Sequence, residues 1–264
     1  MAGKLFLVFC AGCSGGSWLE KVCNTHPQVR AWEEVVRQLG FIGRGLDGRK
    51  DANNLSPAAT QEMYKTIIWF LENQSRRHGA VGLIKSFNYQ VLDYCLGHDT
   101  KVIQLTRNPL KVVGFKYAKT EWEMMTGDGE YDWLQIFETH VRRYAERYQT
   151  YLERAGRFPI IRAEVLSASL MTPEAQYFRQ TMESLTRVEW GDDIVAQVKQ
   201  SAHPRGREDV PAPDCWKSDP FVELRYGLRS RGAHSWDRWN LKQREIFVEY
   251  FEPIMAALGY NYGD

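Results

Sequence analysis

Short apolar runs alternate with longer amphipathic stretches along this chain. Four runs are typical of buried strands, because each is short and is bounded by turn or charged residues. These runs are Lys4–Phe9, Ala80–Lys85, Lys101–Thr106 and Phe158–Arg162. Three stretches have the period of a helix, and they run from Ser56 to about Gly79, over Tyr131–Arg154 and over Leu241–Leu258. Strands that alternate with helices predict an α/β fold, with a central parallel sheet flanked by helices on both faces.

Length and composition favour a single domain over residues 1–264, because 44% of the residues are apolar and can form a sizeable core. The formal net charge of +1 points to neither nucleic acid nor a membrane surface as a partner. No apolar run approaches the ~20 residues that span a bilayer, and the first run is too short for a signal peptide. Five cysteines in no disulfide pattern suggest free thiols and a cytoplasmic protein.

The first apolar run leads directly into a loop of small residues with the sequence CAGCSGGSWL. Backbone N–H groups in such a loop, followed by a helix N-terminus, form a cradle for an anion. The ATP-binding phosphate loop also needs a Gly-Lys pair, which is missing here. The loop therefore predicts a phosphate site of another kind, and the alternative is a glycine turn that only connects a strand to a helix.

The segment CSGGSWL, Cys13–Leu19, resembles the K-S/T-G-S/T-S/T-W-L loop of sulfotransferases that use 3′-phosphoadenosine 5′-phosphosulfate (PAPS). The matching positions are Ser14, Gly15, Ser17 and Trp18. Gly16 replaces a hydroxyl residue, and Cys13 replaces a lysine or arginine. The resemblance implies that the backbone amides from Cys13 to Ser17 and the two serine hydroxyls hold the 5′-phosphosulfate.

Later segments resemble the same family in the same order. Arg107-Asn108-Pro109 follows a predicted strand, which implies that Arg107 binds the 3′-phosphate, although Phe115 stands where the family usually has a second ligand, a serine. PIIRAEVL resembles a family strand-to-helix segment, with Ala163 in place of a tyrosine that often meets adenine. LRSRGAHSWDRWN resembles the loop that closes over the nucleotide. The residues that match the family motif in this loop are Arg229, Arg231 and Gly232. The ordered set implies a single P-loop-type sulfotransferase domain.

The run NTHPQVRAWEEV resembles a segment of tyrosylprotein and bacterial sulfotransferases in which the second glutamate is the catalytic base. That position is Glu34, with Glu33 as the next candidate, and the alternative places both on an exposed amphipathic helix. Lys85 matches a family lysine that acts on the transferred group. Phe87 stands in place of the histidine base of cytosolic members, and this favours Glu34.

The implied activity is transfer of a sulfuryl group from PAPS to an acceptor hydroxyl, in line and without a metal ion. The partners are then PAPS, its product 3′-phosphoadenosine 5′-phosphate (PAP) and a hydroxyl-bearing acceptor. Five aromatic residues are candidates for lining the acceptor pocket or stacking on adenine, and a position in the core is the alternative for each. They are Trp18, Phe87, Tyr89, Trp122 and Trp216. His26 is expected to be structural. Two other functions remain open, namely a P-loop kinase and a PAP-binding protein without turnover.

Overall fold

The structure is a computed structural model, and it describes residues 4–10, 14–33, 57–84, 89–95, 99–125, 130–201, 236 and 239–262. Contacts between residues divide the chain into two units. The first is Met1–Leu105 with Phe158–Pro204, and the second is Thr106–Arg157 with Arg205–Asp264. The single domain expected over residues 1–264 remains a prediction.

Strands and helices alternate along the described ranges. The strands are β1 (Lys4–Cys10), β2 (Val29–Glu33), β3 (Ala80–Ile84), β4 (Thr100–Thr106) and β5 (Ile160–Arg162). The helices are α1 (Gly16–Thr25), α2 (Pro57–Ser75), α3 (Pro109–Met125), α4 (Trp133–Glu153), α5 (Ala163–Leu170), α6 (Gln176–Thr186), α7 (Asp192–Ser201) and α8 (Leu241–Leu258), with a 3₁₀ helix at Tyr89–Cys95. The predicted α/β class is confirmed, and the four predicted strands differ from those observed by one or two residues at an end.

The five strands form one sheet in the order β2-β3-β1-β4-β5. β1 pairs in parallel with β3 on one side and with β4 on the other, and β2 pairs in parallel with β3. β1 is the central strand, and its residues from Leu5 to Cys10 are all buried. The predicted parallel sheet is therefore confirmed, and β2 extends it by one strand that the sequence patterns did not predict.

Helices of the first unit cover both faces of the sheet. On one face, alternate β1 residues join an apolar cluster with residues of α1, α5, α6 and α7. Those β1 residues are Phe6, Val8 and Cys10. On the other face, Phe9 stacks on Tyr89 of the 3₁₀ helix with ring centroids 4.2 Å apart. There too, Trp32 of β2 packs edge-on against Phe70 of α2 at 4.9 Å. The expected helical layers on both faces are confirmed.

A glycine lets β1 and β3 bury a phenylalanine on the face that α1 covers. Phe6 and Gly82 are partners in the parallel register, and Phe6 is 0% exposed. A Cβ atom added to Gly82 would overlap three ring carbons of Phe6. The ring thus occupies the space that a side chain at position 82 would need.

The second unit is helical in its described part. α4 contacts both α3 and α8. Aromatic pairs fill these contacts, with Tyr117 of α3 edge-on to Phe137 of α4 at 5.0 Å and Tyr148 of α4 edge-on to Phe251 of α8 at 5.8 Å. The pattern of α4 explains this packing, because its apolar and aromatic residues recur at helical spacing on one buried side.

The two long helices of this unit begin at capping residues that the sequence displays. The carboxylate of Asp132 accepts hydrogen bonds from two backbone N–H groups of the first turn of α4. Asn240 and Gln243 form a reciprocal capping box at the start of α8, and Gly259 ends that helix with φ of 67°. All three predicted helices are confirmed. No helix in the described ranges is both long and apolar enough to cross a membrane.

We expect Gly82→Ala to destabilise the protein by about 1–3 kcal/mol, because the new methyl group must displace the buried Phe6 ring. Gly156→Ala is the matched control, since nothing lies within 4 Å of a Cβ atom at Gly156. Urea unfolding of both variants measures the difference. Equal stability of Gly82→Ala and the wild type would contradict the close packing of Phe6 on Gly82.

Candidate functional site

The carboxyl ends of the paired strands lie along one edge of the sheet, because β2, β3, β1 and β4 run parallel. In open α/β sheets, ligands bind outside this edge. Each predicted catalytic or phosphate-binding segment follows one of these strands in the chain. The glycine loop follows β1, Glu34 follows β2, Lys85 follows β3, and Arg107 follows β4.

Gly15 is the N-cap of α1 and has φ of 91°, a left-handed conformation that L-residues with a side chain rarely adopt. Its carbonyl accepts the N–H of Leu19 at 3.0 Å, which closes the first turn of the helix. Because glycine places no side chain over the helix end, the N–H groups of the first turn face the space in front of α1. This local geometry is suited to an anion.

Three other predicted loop residues differ in their exposure. Ser14 is only 1% exposed, whereas Ser17 is exposed on the first turn of α1. Trp18 is partly buried and packs against the apolar cluster beneath α1. Of the two predicted serine ligands, Ser17 is thus the one whose side chain is open to solvent, and part of the Trp18 ring belongs to the core.

Gly16, the first residue of α1, lies where three strands end. A Cβ atom at Gly16 would lie 3.2 Å from Oε1 of Glu33, 3.3 Å from Cγ2 of Ile84 and 3.5 Å from Sγ of Cys10. Glu33, Ile84 and Cys10 are the last residues of β2, β3 and β1. The hydroxyl residue that the resembling family has at this position would need its neighbours to shift.

The glutamate-bearing segment is a strand over Val29–Glu33, so the alternative of an exposed amphipathic helix is wrong for these residues. Val29 and Ala31 alternate into the apolar cluster, and both pair with β3. The sequence offers only a weak signal for this strand. Apolar residues alternate with other residues at just two positions, Val29 and Ala31, before Glu33 and Glu34.

Side chains of α1 form hydrogen bonds with backbone groups of β2, which is the outermost of the described strands on its side of the sheet. The Asn24 amide accepts the N–H of Ala31 and donates to its carbonyl, both at 2.9 Å. Oε1 of Glu20 accepts the N–H of Glu33 at 3.0 Å. These bonds satisfy backbone groups that no other strand of the described residues pairs with, and they hold the end of β2 against α1.

Arg107 connects β4 to α3 and is partly buried. Its carbonyl accepts a hydrogen bond from the Tyr148 hydroxyl at 2.6 Å. The side chain of the next residue, Asn108, accepts the N–H of Leu110 at 2.9 Å and thereby caps α3. The order of strand, Arg-Asn-Pro and helix is as predicted, and hydrogen bonds hold this turn at the carbonyl of Arg107 and at the side chain of Asn108.

Ala163, which stands where the family has a tyrosine, is the first residue of α5 and is 7% exposed. Its Cβ atom lies 3.4 Å from the position that a Cβ atom on Gly15 would take. The small side chain at position 163 therefore packs beside the N-cap of α1, and α5 contributes to the surroundings of the glycine loop.

Tyr89 is partly buried, and its ring packs against residues of the core. Its ring stacks on Phe9 and lies 5.9 Å from the ring of Phe158, and its hydroxyl donates to the buried side chain of Gln104. These contacts agree with the alternative of a core position for this residue.

His26 is structural, as expected. It is 4% exposed, its Nδ1 accepts the N–H of Gln28 at 3.1 Å, and its Nε2 lies 2.9 Å from the carbonyl oxygen of Glu189. Because Nδ1 accepts, Nε2 carries the proton and donates. Within the described ranges, no three His, Cys, Asp or Glu side chains are grouped so that they could hold a metal ion.

Three cysteines in the described ranges, Cys10, Cys23 and Cys95, are free thiols and buried. Burial is also the main cause that raises the pKa of Cys95 to about 11, so this thiol stays protonated near neutral pH. These three cysteines agree with the expectation of free thiols.

The candidate pocket residues Phe87 and Trp216 lie outside the described residues. So do six of the predicted catalytic and cofactor-binding residues. They are Cys13, Glu34, Lys85, Arg229, Arg231 and Gly232. Their assignments remain predictions from the sequence.

No family model matches the chain, and no curated protein matches it. Among solved structures, the chain is similar to mouse sulfotransferase SULT7A1 complexed with PAP. The TM-score is 0.56, the match covers 98% of this chain and 89% of the mouse chain, and 13% of the residues are identical. At this level of identity the likeness shows the fold, and the chain therefore has the α/β fold of that sulfotransferase.

Proposed function

We propose that the chain is a sulfotransferase that moves a sulfuryl group from PAPS to an acceptor hydroxyl. The main supporting observation is the glycine loop, in which a left-handed Gly15 opens α1 at the carboxyl edge of a parallel sheet. The fold of the chain is also that of a mouse sulfotransferase whose structure contains PAP. The resemblance of the loop and of Arg107 to family motifs supports the same donor.

In this proposal, the first turn of α1 binds the 5′-phosphosulfate of the donor. The first-turn amides and the partial positive charge of the helix end attract the anion. The exposed Ser17 hydroxyl adds a donor, and Ser14 adds one from a buried position. Cys13 is a weak donor without charge, so the loop itself supplies no lysine or arginine.

Arg107 would bind the 3′-phosphate of the nucleotide. The guanidinium group presents several N–H donors in a plane and suits two phosphate oxygens at once. The hydrogen bonds at the Arg107 carbonyl and at Asn108 hold the backbone of this turn, which would limit the backbone entropy lost on binding. Arg229, Arg231 and Gly232 are proposed to close over the nucleotide, on their resemblance to the family loop.

Glu34 would be the general base, and Lys85 would stabilise the transferred group. Their position in the chain supports this pairing, since Glu33 and Ile84 are partners in the register of β2 and β3 and are followed by Glu34 and Lys85. Two adjacent parallel strands thus each lead into one of the proposed catalytic residues at the same edge of the sheet.

Sulfuryl transfer should resemble phosphoryl transfer, with a loose in-line transition state and charge spread over the equatorial oxygens. The protein then acts by positioning and electrostatics. Glu34 would take the proton of the acceptor hydroxyl, and Lys85 would offset the developing negative charge. These positive and hydrogen-bonding groups make a metal ion unnecessary for the proposed reaction.

We expect PAP to bind without a metal ion and to raise the melting temperature, because a ligand that binds only the native state stabilises it. A thermal melt with saturating PAP in the presence of a chelator measures this shift, and ATP with Mg²⁺ is the comparison. No shift with PAP together with a shift with ATP and Mg²⁺ would favour a kinase. Binding without transfer to any acceptor in a radiolabelled PAPS assay would favour a PAP-binding protein.

We expect Arg107→Ala to weaken PAP binding by about 10- to 150-fold, because loss of a charged hydrogen bond costs ~1.5–3 kcal/mol. Isothermal titration measures the affinity, and the melting temperature without ligand checks the fold. Arg143→Ala, at an exposed position of α4, is the matched control and should bind PAP normally. Unchanged affinity in a folded Arg107→Ala variant would remove Arg107 from the site.

We expect Glu34→Gln to lower turnover by ~10²–10⁴-fold with PAP affinity nearly unchanged, because the glutamine amide cannot take up the proton of the acceptor hydroxyl. Lys85→Ala should also lower turnover and should weaken PAPS more than PAP, since the sulfuryl group is its target. Steady-state transfer assays together with PAP and PAPS titrations separate these effects.

Glu62→Gln, at an exposed position of α2, is the matched control for the Glu34 variant and should leave turnover at the wild-type level. A normal rate in Glu34→Gln would exclude Glu34 as the base.

A further inference from the structure

The carboxylate of Glu33 lies against the first residue of α1. Its Oε1 is 3.2 Å from the place where a Cβ atom on Gly16 would be. Val29 and Ala31 of the same strand point into the cluster under α1, and alternation along β2 directs Glu33 to that side as well. The Glu33 carboxylate thus lies beside the glycine loop, and the phosphate-binding role proposed above assigns it no function.

Two sets of contacts hold the backbone of Glu33 in place. The backbone N–H of Glu33 donates to Glu20 of α1, and Glu33 pairs in register with Ile84 of β3. The glycine at position 16 leaves the room that the Glu33 side chain occupies. The position of the charge is therefore a consequence of strand pairing and of helix packing together.

A carboxylate here acts on the same helix end that attracts an anion. The N-terminus of α1 carries a partial positive charge, and a carboxylate beside its first turn offsets part of it. Like charges a few ångströms apart near a protein surface repel each other by an amount that salt reduces. Glu33 must consequently oppose the binding of a phosphate group at the glycine loop.

We propose that Glu33 tunes the affinity of the glycine loop by weakening its hold on the 5′-phosphate of the nucleotide and thereby speeds the release of the product. This inference rests on the proposed function, because it takes PAP as the product. In this inference the Glu33 carboxylate acts on the bound phosphate by electrostatic repulsion. The proton acceptor remains Glu34.

Glu33→Gln keeps the shape of the side chain and removes its charge. We expect PAP to bind about 3- to 10-fold more tightly to this variant in low salt and to dissociate more slowly. The difference in affinity should be smaller at 0.5 M salt, because ions then screen charges within about 4–5 Å. Glu33→Asp restores the charge and should bring the affinity back toward the wild-type value. Isothermal titration and stopped-flow displacement of PAP give the affinity and the rate.

Glu20→Gln is the matched control, because it removes a carboxylate from the same helix one turn further from its N-terminus. A Gln there can still accept the N–H of Glu33, and the affinity for PAP should change by less than in Glu33→Gln. An equal gain in both variants would show an effect of net charge and would overturn the role of Glu33.

Weaker or unchanged PAP binding in a folded Glu33→Gln variant would also overturn the inference. A loss of turnover of ~10²-fold or more at unchanged affinity would overturn it as well and would identify Glu33 as the base. These outcomes leave the proposed function intact as long as the wild type binds PAP and Arg107→Ala weakens that binding. Failure of the wild type to bind PAP would instead overturn the proposed function and this inference with it.

Discussion

The close packing of Gly16 against the ends of three strands is the constraint on which the candidate site depends. The last residues of β1, β2 and β3 all lie within 3.5 Å of the space that a side chain at position 16 would take. With no side chain there, α1 can begin directly at the carboxyl edge of the sheet. Its first-turn N–H groups then face the region where parallel α/β sheets bind ligands.

The pairing of α1 with β2 extends this arrangement to the glutamate segment. Among the described strands β2 is the outermost on its side of the sheet, and its backbone groups need partners beyond β3. Asn24 and Glu20 of α1 supply them by hydrogen bonds to Ala31 and Glu33. The N-terminus of α1 is the proposed anion-binding end, and the same helix also holds the strand that leads to Glu34. The two parts of the proposed site are thus supported by one helix.

Much of the fold could be predicted from local patterns. The runs of β1, β3, β4 and β5 are apolar and bounded by turns, and the long helices display caps such as Asp132 and Asn240. β2 could not be predicted in this way, because only Val29 and Ala31 alternate inward and the strand ends in charged residues. Its formation depends on register with β3 and on side chains of α1, which lie outside the segment itself.

The sequence by itself determined the order of the elements, the glycine loop after β1 and the Arg-Asn-Pro turn after β4, because turn residues, caps and apolar periods act over a few neighbours. The tertiary structure decided which residues meet. It placed the hydroxyl of Tyr89 against the buried Gln104, Ala163 beside Gly15 and the carboxylate of Glu33 against Gly16. These contacts join residues that are distant in the chain, and only the packing of helices onto the paired strands brings them within reach.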